Sequence, residues 1–236
     1  MKPLLILALS FASIATPAVA QRQMEADTGS LAPVPRRARI SDAPSVSEKD
    51  RGRITMAQFV RCTVDRKPTN VARITSLPAD KLGGVEFAKA ADEDCLLAGE
   101  IRFKPILMRG ALFVELYRRR QAAEQRHIEW RLPVVPFDVQ TPVDPTNEEL
   151  ATQMALLAFA KCVIDRDPAT ARAVVMGPTV SKVQDTAINA LVPNLGPCLP
   201  NGQKITLSRN ILEGALGEVL YRGTVPSVRP ASQEAK

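Results

Sequence analysis

The chain has 236 residues, a net charge of +6, 45% hydrophobic and only 4% aromatic residues. That apolar content suffices for a globular core and excludes a wholly disordered chain. A single histidine excludes metal centres that need two or three imidazoles.

The N-terminus reads as a secretory signal peptide, residues 1–20. Lys2 supplies the positive start, Leu4 to Ala12 forms a short apolar run broken only by Ser10, and Ala18-Val19-Ala20 gives a small-x-small cleavage pattern after Ala20. The run is well short of the roughly 20 apolar residues that cross a bilayer. No cysteine follows the cleavage position, so a lipid anchor is not expected. The expected address is the periplasm or the exterior, with no transmembrane segment. Residues 21–47 are rich in Pro, Ala, Ser and Arg without apolar periodicity and read as disordered.

From residue 48 the chain repeats itself. Phe59, Cys62, Asp65, Arg66 and Pro68 recur as Phe159, Cys162, Asp165, Arg166 and Pro168, an offset of 100. Further on, Gly110, Ala111, Leu112, Leu116, Tyr117 and Arg118 recur as Gly214, Ala215, Leu216, Leu220, Tyr221 and Arg222, an offset of 104. Cys95 and Cys198 fall between these anchors. Two matched anchors in the same order predict two homologous units, 48–131 and 146–223. Between them residues 132–145 hold four prolines in fourteen and read as an extended linker, packed by Val134, Val135 and Phe137. Residues 224–236 read as a disordered tail.

Each unit is expected to hold four helices. In the second unit Thr146-Asn-Glu-Glu149 reads as a capping box with Thr146 at the cap, followed by an apolar stripe at Leu156, Phe159, Ala160 and Val163. Asp167-Pro168 stops that helix and starts the next, which Gly177-Pro178 closes. A third helix is expected over 181–191, matched by 85–94 in the first unit. Alternating stretches at 100–103 and 204–207 suggest extended chain. Ser208 can cap the last helix, and small residues at Gly214 and Ala215 would let another helix approach closely. The matching helix of the first unit is read as running on through residues 118–130.

Four cysteines in an oxidising compartment point to disulfides. A zinc site is the rival, but spacings of 33, 67 and 36 lack the close pairs of such sites. Of the three connectivities the duplication selects Cys62–Cys95 and Cys162–Cys198. Each closes a loop worth about 3–4 kcal/mol in the chain-entropy account.

Catalytic signatures are scarce. His127 lies in a polar segment and reads as a solvated side chain. No phosphate-cradling glycine loop and no nucleophile elbow is present, and Gly83-Gly84 reads as a turn. No catalytic residue, cofactor or metal is assigned. Asp65, Arg66, Asp165 and Arg166 are recurrent ion-pair candidates at a helix end, where the simplest reading is structural. Arg118, Arg119, Arg120 and Arg126 form the strongest basic cluster. It reads either as a solvated helix face or as a surface for an anionic partner or envelope component. Interleaved aromatics for base stacking are lacking, which argues against nucleic acid. Trp130 reads as a plug between units.

The layout F-x-x-C-x-x-D-R-x-P, then C-L, then G-A-L-x-x-x-L-Y-R, doubled behind a signal peptide, resembles a group of exported bacterial proteins without an assigned activity, over residues 55–222. The resemblance implies a fold and an address but no reaction. The overall expectation is an all-α protein of two helical repeats, each with its own disulfide, serving as a non-catalytic periplasmic interaction or binding module. The alternative is a hydrolase-type enzyme using carboxylates and arginines in the cleft between the units.

Overall fold

Helix ends in this protein are set by small polar residues and prolines. Ser47, Asn147, Asp167, Ser181 and Ser208 each accept a backbone N–H from the first turn of the helix that follows. Such a bond satisfies a donor that has no partner inside the helix. Pro68 and Pro105 open two further helices, and Pro168 the one that Asp167 caps, at a position that needs no donor. The computed structural model of the chain describes residues 37–40, 45–97, 101–141, 146–199 and 207–223, all within one compact unit. Among these residues there are eight helices and no strand. They are α1 (Glu48–Arg66), α2 (Pro68–Thr75), α3 (Gly84–Ala90), α4 (Pro105–Gln125), α5 (Glu148–Arg166), α6 (Pro168–Met176), α7 (Lys182–Leu195) and α8 (Arg209–Arg222). The order helix, helix, helix, 3-10 turn, helix runs through each half, with an added 3-10 turn at Ala79–Lys81 between α2 and α3 in the first; the 3-10 turns at Glu93–Cys95 and Gly196–Cys198 carry the second cysteines.

Both disulfides have the expected partners. Cys62 on α1 is bonded to Cys95, and Cys162 on α5 to Cys198. Each ties the first helix of its half to the turn that ends the third. The surroundings differ. Cys62 and Cys95 are fully buried, whereas Cys162 is half-buried.

The centre is the crossing of α4 and α8. Gly110 on α4 faces Gly214 on α8 so closely that a Cβ on Gly110 would lie 2.7 Å from the Gly214 Cα, and one on Gly214 would lie 2.6 Å from the Gly110 Cα. Backbone touches backbone, so neither position has room for a side chain. Leu112, Phe113, Leu116, Leu212, Leu216 and Val219 fill the core around this crossing. Phe113, Tyr221 and Trp130 gather at one end of it. The Phe113 and Tyr221 rings lie 5.6 Å apart, and Trp130 meets Tyr221 edge-on at 6.1 Å. The linker packs there too: Phe137 is buried, its N–H donates to Gly223 O, and Tyr221 Oη donates to Pro133 O.

Several expectations need correction. The N-cap of α5 is Asn147, not Thr146, because the Asn147 side chain reaches the Leu150 N–H at 3.0 Å. Helix α4 stops at Gln125, and His127 takes φ 57 in the turn beyond. Helix α7 runs four residues past the expected Leu191 to Leu195 and contains Pro193 near its end, while α3 is only seven residues long. Ile101 to Lys104 is irregular. Residues 37–40, expected within a disordered segment, instead dock beside the first disulfide. Ala38 is fully buried and forms a parallel bridge to Leu96, with Ala38 N–H donating to Cys95 O at 2.7 Å and Leu97 N–H donating to Ala38 O at 3.0 Å. The signal segment 1–20, the rest of 21–44, residues 204–206 and the tail 224–236 lie outside the described residues.

Candidate binding groove

Two ionic clusters are buried where the halves meet, and they have different fates. In the first, the Arg109 guanidinium on α4 donates to both oxygens of Glu218 on α8, at 2.6 and 2.7 Å. It also donates to Leu82 O and Ala79 O, at 2.8 and 3.1 Å. Arg222, one turn along α8, donates to the same carboxylate at 2.8 Å and to Leu77 O and Val135 O. Its guanidinium also lies 4.7 Å from the Phe113 ring centroid. All three side chains are at most 3% exposed. Burial pushes the Glu218 carboxyl up, but the charge of Arg109 and the hydrogen bonds from both arginines outweigh it, holding the carboxyl below its ordinary range.

The second cluster centres on Glu213, also on α8. Arg53 from α1 and Arg118 from α4 each donate to it at 3.1 Å. Arg53 also donates to Gln184 at 2.7 Å, and Gln184 accepts the N–H of Val180, a β-branched residue at φ 60. Arg118 reaches Val175 O at 2.7 Å and Gly177 O at 2.6 Å, the carbonyl end of α6. Burial lowers the Arg118 pKa. Unlike the first cluster, this one opens outward. It floors a groove of about 1250 Å³ between the start of α1, residues 101–103, α4 and the start of α8. Met56, Ile101, Phe103, Leu107, Val114 and Leu207 make its apolar walls. Glu115, on the wall, is held by Arg119 at 2.8 Å and Arg61 at 3.5 Å.

The sequence register leads to a second observation. Offsets of 100 and 104 carry Arg53, Met56, Leu107, Ala111 and Val114 onto Gln153, Leu156, Ile211, Ala215 and Glu218. Those five residues, with Ile106, Gly110 and Gly214, line a crevice of about 10 Å³ at the start of α5, about the space of one water. The matched place in the second half is therefore filled. Asn210 lines the groove where Ile106 lines the crevice. Arg53 replaces Gln153, which brings a charge to the groove floor.

No protein-family model, curated protein or solved structure matches this chain. The site must be read from its chemistry.

The basic cluster is placed differently from a solvated face. Arg118 forms the groove floor. Arg119 donates to Glu115 and to Asp65 at 2.6 Å, and Arg120 donates to Glu124 at 3.0 Å and to Tyr221 O at 2.9 Å. Arg126 is the exposed C-cap of α4. The recurrent pairs also separate. Asp65 binds Arg119, whereas Arg66 binds Asp92 and Asp94 at 2.7 and 2.6 Å. The Arg66 hydrogen bond holds the Asp92 carboxyl below its ordinary value. Asp165 binds Lys161 at 2.5 Å, and Arg166 is exposed on the last turn of α5. His127 is exposed in its turn, and Trp130 Nε1 donates to Tyr221 Oη at 3.3 Å. Among the described residues no cluster of three His, Cys, Asp or Glu could hold a metal ion, and no helix is long and apolar enough to cross a membrane.

Arg53, Arg109, Glu213, Glu218 and Gln184 carry the junction and escaped the sequence reading. The one signal was two glutamates five apart on a mostly apolar stretch of α8: they point about 140° apart, so both do not fit on one narrow solvent-facing stripe.

Proposed function

We propose that this protein is a non-catalytic binding module, and that its binding surface is the groove between the two halves. The observation that carries the reading is a large cavity with apolar walls whose floor carboxylates are already committed. Its volume exceeds the roughly 300–1,000 Å³ of small-molecule sites and suits a segment of another macromolecule. Glu213 and Glu115 each face two arginines, whose N–H groups engage the carboxylate oxygens. This favours recognition over the hydrolase alternative, which needs a carboxyl free to exchange a proton with substrate or water. An exported address, two disulfides and two copies of one helical unit complete the reading. The shared order of elements and the retained motifs support the copies.

The test is loss of function by filling. Ala111→Trp places an indole in the groove. Wild-type protein and the variant, matched by circular dichroism and disulfide mapping, are used to capture partners from an envelope extract. The expected result is a species retained by the wild type and lost from the variant. Equal capture by both would move the binding surface elsewhere.

A further inference from the structure

The lip of the groove has its own chemistry. Lys49 and Arg102 are exposed on it, Arg51 is half-exposed, and Arg209 stands on the opposite side at the start of α8. The carboxylates near them are fewer and partly engaged. Glu48 is exposed, Asp50 accepts from Ser47 at 2.8 Å and lies 3.5 Å from Arg53, and Asp185 shares Arg209. The floor leans the same way. Arg53 Nε makes no hydrogen bond among the described residues, and Nη1 has Asp50 at 3.5 Å without a hydrogen bond, although the side chain is only 5% exposed. Cations on two sides of an apolar trough, above a floor where two guanidinium groups share Glu213, form a field that favours negative charge.

We infer that the occupant of the groove is an acidic, apolar-anchored segment of a partner protein. Apolar side chains three or four residues apart sit against Met56, Phe103 and Leu107, and flanking carboxylates meet Lys49, Arg51 and Arg209. The inference rests on the groove being the binding surface. A protein segment fits better than a lipid chain because the floor is ionic: a polypeptide offers C=O groups to the guanidinium of Arg118, whereas an acyl chain would desolvate it without compensation. The filled crevice at the start of α5 leaves the seat at the start of α1, giving one segment per chain.

The experiment is selection from a random-peptide display library on the full-length oxidised protein, with the Ala111→Trp variant as counter-selector and Lys49→Glu/Arg51→Glu as a lip variant. The expected pool is enriched in Asp and Glu around apolar residues at i, i+3 or i+4. Synthetic members of it should lose at least tenfold in affinity for the lip variant, and should weaken between 50 and 500 mM NaCl. A pool that depends on Ala111 but is neutral or basic would overturn the acidic partner and leave the groove standing. A pool indifferent to Ala111→Trp, or no enrichment at all, would overturn both. Vesicles of anionic phospholipid form a separate arm: binding that exceeds that of every selected peptide and is lost in Ala111→Trp would replace the protein segment with a lipid.

Discussion

The groove at the start of α1 and the crevice at the start of α5 occupy matched places in the sequence, yet one holds about 1250 Å³ and the other about 10 Å³. The scaffold around them is alike: a capped first helix, a disulfide to the third, and a closing helix crossing at a glycine. The difference lies in a few side chains. Where the crevice has Gln153, Leu156 and Ile106, the groove has Arg53, Met56 and Asn210. Closure of the crevice leaves the second half as packing. The opening at the start of α1 leaves an apolar surface, which a folded protein avoids unless something covers it.

Experiments that break this comparison begin with the sealed cluster. Glu218→Ala strands Arg109 and Arg222 in the core, and removal of one partner of a buried pair costs about 3–5 kcal/mol. Glu213→Ala should cost less, about 2 kcal/mol, because Arg53 retains Gln184 and Arg118 retains two carbonyls. Urea denaturation of the two variants measures the difference, and equal losses would erase the distinction between a sealed and an open cluster. Gly110→Ala comes next. Alanine gains up to about 1 kcal/mol of helix propensity, but its Cβ meets backbone rather than a flexible side chain. Overpacking of about 3 kcal/mol wins, and the helices must part. Gly214→Ala should behave alike.

The disulfides sharpen the comparison at lower cost. Under mild reductant, Cys162–Cys198 should open before Cys62–Cys95, because attack requires access and the first pair is fully buried. Alkylation followed by mass spectrometry reads the order. The smallest effect is on pH. Glu218 and Asp92 both have folded pKa values below their ordinary ones. Their contribution is therefore fully present above the unfolded values near 4 and is lost as pH falls through the lower folded values. The urea midpoint should fall below pH 4, and Asp92→Asn should flatten part of that fall without abolishing it.

Much of this fold was legible because its signals are local. Asp167 followed by Pro168, Ser208 before α8, and cysteines recurring at nearly equal spacing each act within a few residues or through repetition. The groove and the ionic clusters were not legible for the opposite reason. Arg109 and Glu218 lie 109 positions apart, and nothing near either one names the other. Arg118 to Arg120 looked like one basic surface because a sequence lists neighbours; on a helix they point 100° apart and find three different sets of partners. The docking of Ala38 beside Cys95 was hidden by a Pro-rich composition that describes the segment's average, not the one residue that is buried. A cavity is harder still, since it exists where segments fail to meet.

The reach of Arg118 into the end of α6, and of Arg222 to Leu77 O just past α2, has a thermodynamic corollary. Each half satisfies backbone carbonyls of the other, so neither reaches its lowest free energy alone. Melting should therefore be a single concerted transition with matching calorimetric and van't Hoff enthalpies, and dividing the gene at the linker should yield fragments that regain full helicity only when mixed.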